Sequence, residues 1–339
     1  MALAPLIALL LLAAPPPGAW LFDAPLGGAQ ASLVRVASSG LRRPLLSVPV
    51  RPGDLPRGSL SPDGRHAAWT VVPPGGRGLQ DSLVQVGDLA TGSVRTLEER
   101  AESLDTPRWS PNGERLAYLR VVAVHPPPPT EGKIQRQATE DWELWTIGAD
   151  GSAPARAYAS TTYGLSLVAL TADGPLLYED DGLGDYRVLA ITPLGGARTL
   201  ASLAGPARAF QLVDAGRSLV YAVRTEGTRQ WAVLRSSVTT GKTAALLEAE
   251  GDRLEPFVAG SSLLVSAPGQ LERLSLATGQ PIAPPLPEAL IEAATQDGRW
   301  AVARDAQGLE LLDVTRGTAE PLPARPIAAT LGFAIVQQR

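Results

Sequence analysis

Short apolar runs recur along almost the whole chain, and each is entered through a polar turn: AAWTVV, LAYLRVV, LLYED, LVYAVR, LLVSA, WAVAR and FAIVQ. None is long enough for a helical period to develop, and polar alternation within them is weak. That is the pattern of short strands with both faces covered. Two sets of glycine turns punctuate the runs. One set precedes them, at Gly64, Gly113, Gly174, Gly216, Gly260, Gly298 and Gly332. The other lies between strand-like segments, at Gly40, Gly92, Gly151, Gly196, Gly241, Gly279 and Gly317. Asp63, Asn112, Asp173 and Asp297 stand directly before their glycines, the pairing that tight hairpins prefer. The sets interleave strictly, seven of each. The pattern predicts an all-β, seven-bladed β-propeller in which the first set marks a–b turns and the second c–d turns.

The order of the turns also predicts how the ring closes. A c–d hairpin over about 31–48 comes first, and an a–b hairpin over about 326–338 comes last. Neither makes a blade alone. Together they form a shared closing blade, with the C-terminal half inside. Six complete blades fall between them, over 56–99, 105–159, 164–203, 207–249, 253–287 and 290–323. The second of these carries an insertion between strands b and c, VAVHPPPPTEGKIQRQATEDWELW.

Composition narrows the chemistry. Of 339 residues 45% are hydrophobic, ample for a packed core, and the net charge of −4 gives no basic signal for nucleic acid. Cysteine is absent, which removes disulfides, thiolate catalysis and Cys-ligated metals. With only His66 and His125, on opposite faces of the expected propeller, a multi-histidine metal site is excluded.

The N-terminus reads as an export signal over residues 1–19, followed by a linker over 20–30 and the propeller over 31–339. Ala2–Ala14 is nearly unbroken apolar sequence, too short to span a bilayer, and ends at three prolines. Ala14 and Ala24 are each followed by proline, which leaves Ala19 as the better cleavage site. A hydrophobic N-terminal strand of the fold is the competing reading. The export reading places the chain in the periplasm or outside the cell, with no membrane insertion of the mature protein.

The segments SPDGRHAAW…LVQVGDLATGSVRTL and RWSPNGERLAYL…ELWTIGADGSAPARAY resemble the TolB-type propeller repeat, over about Ser59 to Tyr158. That repeat occurs in the Tol–Pal translocation protein and in the propellers of prolyl-oligopeptidase-like peptidases. The resemblance implies a propeller and no particular activity. The chain shows neither the α/β domain of the former nor the G-x-S-x-G of the latter. TolB propellers also have six blades, where the turns here count seven.

Propeller geometry puts tight a–b and c–d turns on one face and b–c and d–a loops on the other. Long b–c loops are expected over 73–82, 121–141, 179–186 and 224–230, so the loop face should be the varied, binding face. Acidic residues collect there, and the tight-turn face carries more arginine. EDDGLGDY offers Asp180, Asp181 and Asp185 as metal candidates, and calcium is the ion such oxygens suit, although the spacing misses the twelve-residue calcium loop and a plain turn is the simpler reading. No other cofactor is called for. HPPPP at 125–129 is expected as exposed polyproline II. Candidate partner contacts are His125, Pro127, Lys133, Arg136 and Trp142, with inter-blade packing the plainer reading for Trp142 and Trp145. The sequence thus points to a non-catalytic propeller that binds another envelope or extracellular protein. The alternatives are a propeller enzyme of calcium-dependent lactonase or lyase type, or a regulatory propeller for a separately encoded hydrolase.

Overall fold

The computed structural model describes residues 18–322 and 335–336, except 26, 38–40, 78–80, 100, 102–104, 128–137, 268–269, 285 and 296. Among them there is no α-helix, and a single 3-10 turn lies at Asp214–Gly216. The strands form seven antiparallel sheets. Blade 1 contains β1 (Gly18–Asp23), β2 (Gln30–Ala37) and β3 (Arg42–Pro49). Blade 2 is β4 (Arg57–Leu60), β5 (His66–Val71), β6 (Leu83–Asp88) and β7 (Val94–Glu99). Blade 3 is β8 (Arg108–Trp109), β9 (Arg115–His125), β10 (Thr139–Gly148) and β11 (Ala155–Thr162). Blade 4 is β12 (Gly164–Thr171), β13 (Gly174–Asp180), β14 (Tyr186–Ile191) and β15 (Ala197–Leu203). Blade 5 is β16 (Ala207–Val213), β17 (Ser218–Arg224), β18 (Gln230–Ser237) and β19 (Thr243–Glu250). Blade 6 is β20 (Glu255–Ala259), β21 (Ser262–Ala267) and β22 (Gln270–Ser275). Blade 7 is β23 (Leu290–Ala294), β24 (Trp300–Arg304), β25 (Leu309–Asp313) and β26 (Thr318–Pro321). The last strand, β27 (Ile335–Val336), pairs with β1 and so returns to blade 1.

The core confirms a closed ring. Seven clusters of buried apolar side chains lie between neighbouring blades, as many interfaces as blades. The cluster between blades 7 and 1 joins Val302, Leu309 and Leu311 to Ala19, Leu21, Val34 and Val36. The one between blades 1 and 2 joins Phe22, Leu33 and Val48 to Trp69 and Val71. Inner strands are covered on both faces, which is why β5 is buried from Ala67 through Val71 and shows no alternation. Outer strands such as β7 and β19 are mostly exposed.

The turns account for the glycines. Gly64, Gly92, Gly113, Gly151, Gly174, Gly216, Gly241, Gly260, Gly279, Gly298 and Gly317 all have positive φ, and in the 192–196 turn that role falls to Gly195 rather than Gly196. Gly40 and Gly332 lie outside the described residues. Polar side chains lock the a–b turns. The Ser61 hydroxyl donates to Asp63 Oδ1 at 2.6 Å, which accepts from the Arg65 N–H at 3.0 Å, while Ser61 Oγ accepts from the His66 N–H at 2.9 Å. Ser110 with Asn112, and Thr295 with Asp297, repeat this arrangement in blades 3 and 7. A hydroxyl two residues before an Asp or Asn is therefore the local reason the turn forms here.

Three expectations change. The closing blade is shared, but the split is one strand with three: β27 is innermost, and β1, β2 and β3 follow outward. Strand b is β1, from residues that the sequence reading divided between export signal and linker. Ala19, Leu21 and Phe22 are all buried, so β1 is apolar on both faces and reads on from the apolar run before it. That run, Ala2–Ala14, lies outside the described residues, as does most of the predicted hairpin at 326–338. In blade 6 the fourth strand shrinks to a single bridge, Leu274 to Pro281. The segment QPIAPPLP supplies too few N–H groups to extend a ladder.

One buried carboxylate gives a pH-dependent prediction. Glu310 Oε1 is buried without a hydrogen-bond partner, and burial together with the nearby Asp305 pushes its carboxyl up. A folded pKa above the unfolded one means that ionisation at neutral pH costs stability, and the cost vanishes as pH falls below the ordinary carboxylate range. Glu310→Gln should raise the melting temperature at pH 7 by on the order of 2 °C, with no gain at about pH 3.5. Calorimetry at the two pH values checks this.

Candidate functional site

The loop face is dominated by one hairpin. β9 and β10 are the longest strands described, 11 and 10 residues, and their ladder runs out to the pair His125–Thr139. Thus much of the expected loop 121–141 is strand, and the loop proper starts at Pro126. β-branched Val121, opposite Trp142, and Val124, opposite Glu140, favour the extension. His125 Nε2 and Asp141 Oδ2 clamp its end at 2.9 Å. Hydrogen bonds from Thr161 and His125 hold the Asp141 carboxyl below the usual carboxylate range. Val122, the extra residue where the ladder shifts register, and Val124 are 47% and 55% exposed. Pro127 is also exposed. Lys133 and Arg136 lie outside the described residues.

Trp142 takes a different place. It packs against the core between blades 3 and 4, while Trp145 packs against the core between blades 2 and 3. The two indoles lie on opposite faces of β10, because an offset of three residues is odd in a period of two. Among the described residues, the buried Trp142 indole nitrogen has no hydrogen-bond acceptor.

The acidic b–c loop of blade 4 is committed to its own turn. Asp180 Oδ1 accepts from the Gly182 N–H at 2.8 Å. Asp181 Oδ1 accepts from the N–H groups of Leu183 and Asp185, at 2.8 and 2.9 Å. Asp185 faces Arg187 at 3.5 Å, and the same guanidinium holds Glu179 at 2.6 Å. Among the described residues no group of three His, Cys, Asp or Glu side chains is placed to hold a metal ion.

Sequence reasoning did not find the central cavity. The inner strands enclose a space of about 1040 Å³, lined among others by Ser59, Arg108, Trp109, Phe210, Gln211 and Phe257. Its rim includes the a–b turn residues Pro62, Ala215 and Gly260, so it opens on the tight-turn face. Phe210 is held in place by Tyr178 and Tyr221, each with its ring centroid 5.2 Å away. Arg108 Nε donates to the Leu167 carbonyl at 3.3 Å, and burial lowers the guanidinium's pKa, an effect that Asp105 opposes. Burial raises the Asp105 carboxyl, opposed by the Leu167 N–H, Arg108 and Arg57. One signal was available in the sequence. Two residues before the turn hydroxyls Ser61, Ser110, Thr171 and Thr295 stand Ser59, Arg108, Ala169 and Ala293, and only blade 3 places a charge there.

No family description and no curated protein matches the sequence. Solved structures do match in fold. TolB from Acinetobacter baumannii superposes with a TM-score of 0.55 at 14% identity, over 94% of this chain and 66% of that one. An oligogalacturonate lyase in complex with manganese gives 0.57 at 14% identity, over 88% and 83%. Prolyl oligopeptidase B from Galerina marginata gives 0.62 at 12% identity, over 93% and 51%. The chain thus spans just under two thirds of the TolB chain and about half of the peptidase. Among the described residues no helix is long and apolar enough to cross a membrane. At these identities the likeness concerns architecture, and by that architecture the chain is a TolB-like, seven-bladed β-propeller.

Proposed function

We propose that the chain is an exported, non-catalytic propeller that binds another protein of the cell envelope or the extracellular space through its loop face. The β9–β10 hairpin carries this reading. It continues beyond the blade, is stiffened by the His125–Asp141 clamp, and presents two exposed valines. A rigid scaffold that offers apolar side chains on an extended hairpin suits protein recognition better than chemistry. The test is capture from envelope extract of the source organism, with the parent, Val122→Asp/Val124→Asp, and a variant in which a short Gly-Ser loop replaces residues 124–140. The parent should retain a partner that both variants lose. The double valine variant should melt within about 0.5 kcal/mol of the parent, because exposed substitutions seldom cost more. A partner held equally by all three would overturn the reading.

The enzyme reading keeps one observation in its favour. The oligogalacturonate lyase is mostly propeller, since this chain covers 83% of it. A melting temperature that rises with calcium or manganese and falls with chelator would move the assignment toward a metal-dependent lyase or lactonase.

A further inference from the structure

We propose that the central cavity is a binding site for a small organic monocarboxylate with an apolar body, its carboxylate seated on Arg108. The site opens on the tight-turn face, opposite the β9–β10 hairpin, so it stands independently of the protein-binding reading.

The walls define the body of the ligand. Trp109, Val168, Leu170, Phe210, Phe257 and Ile282 give the cavity an aliphatic and aromatic lining. At about 1040 Å³ it has the size of a small-molecule site. The polar groups define the head. Two of the lining hydroxyls are already used, Ser59 donating to the Pro107 carbonyl at 2.7 Å and Thr295 held in its turn, and Ser261 and Ser275 stand at the turns of blade 6. Asp214 and Arg235 line the wall as a mutual ion pair. What remains is a set of donors. Arg108 spends only Nε, on Leu167, and among the described residues it has no carboxylate within ion-pair distance. Among the described residues, neither of its terminal NH2 groups has a hydrogen-bond partner. The Gln211 side-chain carbonyl is occupied by the Val258 N–H, which leaves its NH2 as a second donor.

A fork of N–H groups beside aromatic and aliphatic side chains matches one carboxylate, which accepts both hydrogen bonds and neutralises the charge. A polyhydroxylated ligand would place hydroxyls against Trp109, Phe210 and Phe257, each unpaired one at a desolvation cost.

The test is calorimetric titration of the full chain with an isosteric series: 3-phenylpropanoate, 3-phenylpropanol and 3-phenylpropylamine, with galacturonate as a carboxylate on a polar body. The phenyl carboxylate should bind with a Kd below about 1 mM and at least about tenfold more tightly than the alcohol or the amine. Galacturonate should bind at least about tenfold more weakly than the phenyl carboxylate. Arg108→Met should abolish the preference for carboxylate over alcohol. Should that variant fail to fold, Ala169→Phe keeps Arg108 and fills the cavity from the neighbouring blade; it should lose binding of all three phenyl compounds. Val122→Asp/Val124→Asp should bind the carboxylate like the parent. Equal affinity for carboxylate, alcohol and amine, galacturonate binding as tightly as the phenyl carboxylate, or full carboxylate binding by Arg108→Met or Ala169→Phe, would overturn the proposal.

Discussion

Phe22→Ala should destabilise the protein by about 3–5 kcal/mol, the range for truncating a fully buried aromatic side chain. Phe22 lies in the segment that reads as a linker, yet its ring is buried and meets Trp69 edge-on, with centroids 5.4 Å apart. Trp69 is itself pinned, donating from Nε1 to Gln85 at 2.9 Å and lying over Gly87, where a Cβ would approach its ring to 2.7 Å. The indole has no room to follow a shortened neighbour, so the cavity would stay open. The loss would also fall on the blade that closes the ring, where β1 carries both β2 and β27. Urea denaturation of parent and variant measures the difference. A change within about 0.5 kcal/mol, as for a solvated linker residue, would mean that β1 is not part of the folded core.

The second large effect concerns the turns at the centre of the tight-turn face. Gly298→Ala should cost about 2–4 kcal/mol. Gly298 has φ +72°, and a Cβ there would stand 2.3 Å from the Ala259 carbonyl oxygen and 2.6 Å from the Gly260 nitrogen. Those atoms belong to the a–b turn of blade 6, so the two turns pack backbone to backbone. Gly227→Ala is the control. It has the same φ, +72°, but its Cβ would meet nothing within 4 Å. It should cost only the left-handed backbone penalty, about 1–2 kcal/mol. The excess at Gly298 then measures the contact between blades. Equal melting temperatures for the two variants would show that the blades are not packed this closely.

Both predictions bear on how the fold was encoded. The number of blades was legible because each tight turn needs a glycine or an Asp-Gly pair at fixed phase, a constraint acting within a few residues. The same local chemistry set the limits of blades 2 to 5 to within a few residues. It failed where identical local signals have two tertiary uses. An apolar run that fills a doubly covered strand looks like an apolar run in a leader, so β1 passed for signal and linker. Strand b of the closing blade was sought at the C-terminus for the same reason. In blade 6 the glycine of the c–d turn was read correctly, but the prolines after it leave only one bridge.

The site divides along the same line. The insertion between β9 and β10 was visible as a break in the repeat, and so was the prospect that function lies there. That its flanks continue as paired strands, with His125 clamped to Asp141, depends on cross-strand register. So does the fate of Trp142 and Trp145, neighbours in sequence that enter different cores. The central cavity left almost no trace, because its wall is gathered from inner strands and turns of six blades. By itself the sequence determined the repeat, the turns and the ring they imply, since those follow from backbone geometry over a few residues. Only the tertiary structure decided which strand closes the ring and which side chains share the channel, because residues hundreds of positions apart must meet before either exists.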